Sequence, residues 1–434
     1  MLTENPGLLW EIKEKLRFYL ITPRSILLIV AILHLGALIL CAIDYYLLKF
    51  FIVNYNDGLV SDQQNFELRG ESVLSGHWPY ENIPREYAIA PPLSMYILAV
   101  PLIVEPLIPL PLAFIYRSYL SLFNLASCWM LIKISEKKFP ERQGISAALL
   151  YGISPILLKE AAFAGSDECL GAFLMILVIF LIIVYDRPFL AALTIGLGAS
   201  AKYYPVLLIP YLLATRPSRK EQIKYGLIAI LAVIMAFLPF YLAQPEGFMY
   251  QFEDRVGSVP WDKGGNSGLL ILVARIVGSS TATGFSSYTV FWVAITASFS
   301  LFQIMANRDA LEDAALIPSI FFILYPKFLF AYFIIVLPIY CLSYAHRHST
   351  WTHWSLCHFG LIFAQTMTDR VVGYGSVYSQ EPGNVPFLLI VGVCCFFSIW
   401  IFQWGLILWK KELRWQKTNS LVLPSICARS FDTD

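Results

Sequence analysis

Charged residues that interrupt long apolar stretches are the positions in this sequence most able to do chemistry. Asp62 lies in a polar segment, and Asp167 and Glu168 open an apolar run. Lys202 and Lys327 each lie within three residues of a proline, between apolar stretches. A lysine there needs an anionic partner or water, because a charge inside lipid is costly. If the two lysines lie on the same side of the membrane as the Asp62 carboxylate, they suggest a site for a phosphate.

Each of these positions also has a purely structural interpretation, and the sequence leaves both open. Asp62 suits the N-cap of a short helix, and Asp167 and Glu168 suit the positive end of the helix that follows them. Lys202 could extend its ammonium group towards the membrane surface without binding anything.

The composition describes the environment in which these residues act. Apolar residues make up 58% of the 434 residues and charged residues 14%, whereas a soluble domain has roughly 25% charged residues. We therefore expect a membrane protein, with interfacial belts formed by its abundant aromatic residues. A net charge of +1 gives no indication of nucleic-acid binding. The eight cysteines show no metal-ligating spacing and are interpreted as small apolar residues.

The elements that must position the charged residues are apolar segments of membrane-spanning length. A spanning helix needs about 20 apolar residues, and shorter pieces bounded by Pro, Gly or a charge are expected to be half-helices or broken helices. Long candidates are 25–47, 112–134, 144–159, 168–185, 223–243, 286–306, 353–368 and 385–409. Shorter ones are 91–104, 188–200, 204–214 and 314–343.

Basic residues predict how this helical bundle is oriented. Clusters of Lys and Arg near 13–24, 133–142, 216–224 and 410–417 place these segments, and the N-terminus, in the cytoplasm. The segments around Asp62, Asp167, Lys202 and Lys327 then share the external or lumenal face. The apolar spacing after Asp62 predicts an amphipathic helix in the first external loop, ending at Gly76 and Pro79.

In their order, these pieces resemble the GT-C class of membrane glycosyltransferases. More narrowly, the sequence is similar to mannosyltransferases that depend on polyprenyl-phosphomannose, including the GPI first-mannose enzyme and its prokaryotic relatives. The resemblance spans about residues 25–340 and rests on several short motifs. They are Asp62, Gly76-His77-Trp78-Pro79-Tyr80, the aromatic-to-Pro-Leu segment 87–93, Gly165-Ser166-Asp167, Lys202-Tyr203-Tyr204-Pro205 and Lys327.

The resemblance implies an all-α, polytopic GT-C bundle in which residues 1–417 form one glycosyltransferase domain and 418–434 a polar cytoplasmic tail. It also implies transfer of a hexose, mannose above all, from a polyprenyl-phosphate donor to a lipid, glycan or protein acceptor. The family contains members with and without a divalent cation, so the need for one stays open. The expected roles are a catalytic base (Asp62), donor-phosphate binding (Lys202, Tyr203, Tyr204, Lys327, Arg69, Arg85) and sugar or acceptor binding (Asp167, Glu168, Glu86, Trp261).

Two other functions stay open at this point. A secondary transporter also has broken helices with charged residues, although the Asp62 loop has no counterpart in the second half of the chain. A carrier that moves a lipid-linked sugar without transferring it would present the same residues.

Overall fold

The computed structural model describes residues 22–48, 61–81, 83, 90–138, 141–252, 285–306, 314–324 and 332–345. All of these belong to one compact unit, 1–354. A second unit, 355–434, lies outside the described residues, as do the predicted spans 353–368 and 385–409. The predicted domain boundary at 417 therefore stays a prediction.

The described part of the chain is helical and contains no strand. Several helices begin with a proline, which lacks the N–H that the first turn leaves unpaired. The helices before the helix break at Lys202 are α1 (Pro23–Ile43), α2 (Ser61–Leu74), α3 (Pro92–Val104), α4 (Leu112–Lys138), α5 (Glu141–Gly152), α6 (Glu168–Ile183) and α7 (Pro188–Ala201). Those after it are α8 (Ile209–Ala214), α9 (Arg219–Ala243), α10 (Pro245–Phe252), α11 (Phe285–Ala306), α12 (Leu316–Leu324) and α13 (Phe333–Ala345).

Two of these helices are long and apolar enough to cross a bilayer. They are α1, which continues through a π-helical turn to span Pro23–Leu47, and α9 at Arg219–Ala243. Both expose large apolar side chains, such as Leu35 on α1 and Met235 on α9. Exposure of such side chains is favourable when lipid surrounds the helix in place of water. Shorter apolar helices complete the bundle. The protein is thus an all-α membrane protein, as its composition predicts. The number of crossings and the side of the N-terminus stay predictions.

The predicted helix breaks are confirmed at Lys202, where α7 ends and a 3₁₀ turn, Tyr204–Leu208, leads into α8. The predicted continuous helix over 144–159 is wrong. Helix α5 ends at Gly152, and a new segment begins at Pro155 and runs through a π-helix, Leu158–Ala164. The reason is local, because a residue that precedes proline, here Ser154, is disfavoured in the α conformation.

Helix α2 is the predicted short helix of the first polar loop, and it packs into the bundle. Phe66 shares a buried cluster with Leu98 of α3 and with Tyr116 and Leu120 of α4. Gly70 lies so close to α3 that a Cβ there would be 3.1 Å from the Cα of Ala99. Helix α2 is therefore fixed by side-chain packing against α3 and α4.

The Gly-His-Trp-Pro-Tyr segment after α2 forms a tight turn. Gly76 has φ +84°, a conformation that favours glycine. The Tyr80 hydroxyl donates a hydrogen bond to the Ala90 carbonyl (3.0 Å). A Cβ on Gly247 of α10 would lie 2.7 Å from the Cβ of Tyr80. Through Tyr80, this segment therefore contacts both the residues just before α3 and helix α10.

Candidate active site

Lys202 forms the centre of a buried ion cluster at the break after α7. Its Nζ lies 2.8 Å from Asp167 Oδ1 and 3.1 Å from Glu168 Oε1. All three side chains are largely withdrawn from solvent, with exposed fractions of 11%, 17% and 9%. Lys202 therefore binds two carboxylates, and the structure brings together three predicted site residues.

The backbone around Lys202 explains why the lysine reaches α6. Lys202 is extended (φ −150°), and its N–H donates to the Gly198 carbonyl as the last bond of α7. Pro205 follows in the 3₁₀ turn, and its ring packs against Gly198, where a Cβ would lie 3.0 Å from the ring. The helix thus stops one residue before the lysine.

Asp167 occupies the N-cap position of α6 without capping the helix. Its side chain makes no capping hydrogen bond and pairs instead with Lys202. The Glu168 N–H donates to the Ser166 hydroxyl (3.4 Å), so a neighbouring side chain partly fills the capping role. Asp167 thus lies at the helix N-terminus, where its charge is favourable, but its side chain binds Lys202 and not the backbone of α6.

The charges in the cluster support each other. Burial by itself would lower the pKa of Lys202, but the carboxylates of Asp167 and Glu168 outweigh it and raise that pKa above the usual value. The ammonium therefore stays charged at neutral pH. With two carboxylates around one ammonium, the cluster has a net charge of −1 when all three groups are ionised.

Gly165 connects this cluster to the first turn of α2. It has φ +69°, a left-handed conformation that ends the π-helix. A Cβ on Gly165 would lie 2.9 Å from Cδ of Gln63 and 3.2 Å from Cγ of Arg117. Gln63 is fully buried and follows Asp62 directly in the chain, so the residue after Asp62 lies against the turn that carries Asp167.

The two tyrosines after Lys202 have different surroundings. The Tyr203 hydroxyl donates a hydrogen bond to Oε1 of Gln251 on α10, and its ring stacks on Phe237 of α9 with centroids 6.3 Å apart. Tyr204 is buried against Phe322 and Tyr332, with centroid distances of 5.1 and 6.0 Å. Phe322 belongs to the described stretch before the segment that contains Lys327, and Tyr332 begins the described stretch after it.

Other predicted site residues are less well defined. Arg69 is buried on α2. The helix begins one residue before Asp62, which places Asp62 in its first turn, where a carboxylate is favourable. The side chain of Asp62 lies outside the described part of the structure. The whole of Lys327, Arg85, Glu86 and Trp261 also lies outside it.

Two buried residues near the cluster were missed by the sequence analysis. Arg117 of α4 is 1% exposed and packs beside Gly165, and Gln63 also lies next to the Cβ position of that glycine. The available signal for Arg117 was a single charge in the apolar run from Leu112 to Leu120. Within the described residues, no group of three His, Cys, Asp or Glu side chains is arranged to hold a metal ion.

Comparison with known proteins assigns the family. The model of glycosyltransferase family 87 matches residues 90–326, more than half of the chain. The chain belongs to glycosyltransferase family 87. A search of curated proteins gave no match. The family 87 region contains Asp167, Glu168 and Lys202, whereas Asp62 and Lys327 lie outside the matched residues. The protein is thus a membrane glycosyltransferase whose buried ion cluster lies inside the family region.

Proposed function

We propose that this family 87 enzyme transfers a hexose, mannose above all, from a polyprenyl-phosphate donor to a hydroxyl of a lipid, glycan or protein acceptor. The observation that carries the proposal is the Lys202–Asp167–Glu168 cluster, buried at a helix break of a membrane glycosyltransferase. Family membership favours this function over a transporter or a carrier, because glycosyl transfer is the family's activity.

In the proposed reaction, the bond between the anomeric carbon and the donor phosphate oxygen breaks, and the acceptor oxygen bonds to that carbon. The transition state has oxocarbenium character. Asp62 accepts the acceptor's hydroxyl proton, and polyprenyl phosphate leaves as the anion. Support for Asp62 comes from Gln63, which follows it and packs on Gly165, two residues before Asp167.

Asp167 and Glu168 are proposed to bind sugar hydroxyls, and Lys202 holds their carboxylates in place. An ammonium has three N–H donors, and the two carboxylates accept two of them, so a third can reach a phosphate oxygen. Because the cluster itself is net negative, the leaving phosphate needs further cations. Lys327, Arg69 and Arg85 are the proposed sources, with Tyr203 and Tyr204 lining the same break.

Glu86 and Trp261 complete the proposed sugar and acceptor site, in which an indole ring packs on a sugar face. The site is proposed to face the external or lumenal side, with the N-terminus in the cytoplasm and several crossings between them. The GT-C class and the single catalytic domain, 1–417, belong to the same proposal. A polyprenyl-phosphate sugar would enter sideways from the bilayer at the helix break.

The experiment that tests this proposal compares two classes of donor. Purified full-length protein is given radiolabelled polyprenyl-phosphate mannose or a nucleotide mannose, with a membrane extract as the source of acceptor. We expect labelled product and released polyprenyl phosphate from the lipid donor, and no product from the nucleotide donor. Product from the nucleotide donor alone would overturn the donor class. Lipid donor that changes membrane leaflet without losing its sugar would indicate a carrier.

A further inference from the structure

A pocket lies at the end of α7 opposite Lys202. Helix α7 has 14 residues, so its two ends are separated by about 20 Å. The pocket has a volume of about 430 Å³. It is lined by Asp186, Arg187, Pro188, Phe189, Leu190 and Tyr225. It therefore combines the turn before α7 with the first part of α9.

One cation lines the polar part of this pocket, and a second lies beside it. Arg187 is exposed and makes no capping hydrogen bond to α7. Nζ of Lys224 lies 5.3 Å from the centre of the Tyr225 ring, above its face. The acidic member of the lining, Asp186, is paired with Arg216 at 3.2 Å. Arg187 and Lys224 are thus two cations beside a cavity whose own carboxylate already has a partner.

The apolar side of the pocket is formed by the start of α7. Phe189 and Leu190, which line the pocket, are 51% and 45% exposed. Helices α7 and α9 approach closely farther along, where Gly196 lies against Ala232. The pocket is therefore a notch between paired helices, with Arg187 and apolar side chains of α7 in its lining and Lys224 beside it.

From this arrangement we infer that the pocket binds the headgroup of an anionic phospholipid. The phosphate would lie between Arg187 and Lys224, and the acyl chains would cover Phe189 and Leu190. Basic pockets between membrane helices are suited to anionic headgroups, since a phosphate is attracted to the cations while the chains stay in lipid. The site is independent of the proposed sugar transfer.

The test measures which phospholipid the full-length protein retains. Detergent-solubilised protein is incubated with equal amounts of phosphatidylglycerol and phosphatidylcholine, repurified, and its bound lipids are quantified by mass spectrometry. Each cation near a headgroup contributes about fivefold. The double variant Arg187→Gln/Lys224→Gln should therefore lower the ratio of phosphatidylglycerol to phosphatidylcholine about 25-fold.

A matched control removes the same charge elsewhere. Arg24→Gln/Lys137→Gln changes one exposed arginine and one exposed lysine that lie on α1 and α4, away from α7 and α9, and it should keep the wild-type ratio. Leu190→Trp, which fills the pocket without a change in charge, should also displace the lipid. Size-exclusion chromatography checks that each variant is folded.

Three results would overturn the inference. The first is wild-type protein that shows no preference for phosphatidylglycerol, and the second is an equal loss in both double variants, which would indicate diffuse surface charge. The third is displacement of the lipid by soluble glycerol phosphate at the same concentration. That result would mean that the pocket recognises a free phosphate, because glycerol phosphate lacks the acyl chains.

Discussion

At the scale of single residues, Lys202 shows how a charge is accommodated inside an apolar bundle. Its ammonium is held by two carboxylates from the start of α6, so none of the three charges is buried alone. Such a cluster adds little stability compared with apolar residues of the same volume, but removal of one partner is costly because it leaves an uncompensated charge. This asymmetry is the basis of a test.

Lys202→Met should destabilise the protein by about 3–5 kcal/mol, because Asp167 and Glu168 would then lie buried without a cation. Adding Asp167→Asn and Glu168→Gln should restore most of that loss. Thermal unfolding of the purified protein in detergent measures both effects. The control is Lys133→Met, which removes an exposed lysine paired with Glu136 at 2.7 Å and should cost less than about 1 kcal/mol. Similar losses from Lys202→Met and Lys133→Met would contradict the cluster.

The pH dependence of this difference follows from the raised pKa of Lys202. A group whose pKa is raised by folding stabilises the folded state fully below its unfolded pKa, here about 10.5. The stabilisation is lost as the pH rises through the higher folded value. The part of the difference between wild type and Lys202→Met that comes from the charge of Lys202 should therefore be lost only in strongly alkaline solution. The difference should also shrink as the pH falls into the acidic range, because the two unpaired carboxylates of the variant then take up protons.

At the scale of elements, the turn at Gly165 joins α2 to the start of α6. The left-handed backbone and the side chains of Gln63 and Arg117 leave no room for a Cβ. The contact fixes the first turn of α2, which contains Asp62, against the residues that carry the ion cluster. A substitution at this turn should therefore disturb both the first turn of α2, which contains Asp62, and the ion cluster at the start of α6.

Gly165→Ala should lower the free energy of unfolding by more than the roughly 1–2 kcal/mol of left-handed strain. The control is Gly76→Ala, at a glycine with φ +84° and no atom within 4 Å of the Cβ position, which should cost the strain alone. Gln63→Ala combined with Gly165→Ala should be less damaging than the sum of the two, because both act on one contact. Additive losses, measured by unfolding and by sugar transfer, would show that the contact does not couple the elements.

At the scale of the whole molecule, the sequence predicts most of the architecture and part of the site. Apolar length and composition predict an all-α membrane protein, and prolines mark many helix starts. The break at Lys202 could be predicted, because a lysine is costly within an apolar helix and the proline three residues later disfavours its continuation. The break at Ser154 was not foreseen, because the predicted helix over 144–159 followed the apolar run and did not take into account the proline that comes directly after Ser154.

The pairing within the site depends on long-range packing that no local pattern records. Asp167 and Lys202 are 35 residues apart, and the sequence allowed each to be a helix cap or a surface anchor. The contact of Gln63 with Gly165 spans an even longer stretch of chain. Such pairs are determined by how α2, α4, α6 and α7 pack, whereas the positions of the individual charges are visible in the sequence.

Asp62 is proposed to be the catalytic base that acts beside the ion cluster, and one comparison of variants tests this role. Transfer from radiolabelled polyprenyl-phosphate mannose is compared for wild type, Asp62→Asn and Glu71→Gln, with equal membrane insertion verified for all three. Glu71 is an exposed acid on the same helix, so it controls for the loss of one carboxylate. We predict that Asp62→Asn abolishes transfer and that Glu71→Gln retains it. Normal turnover in the Asp62→Asn variant would show that Asp62 is not the catalytic base.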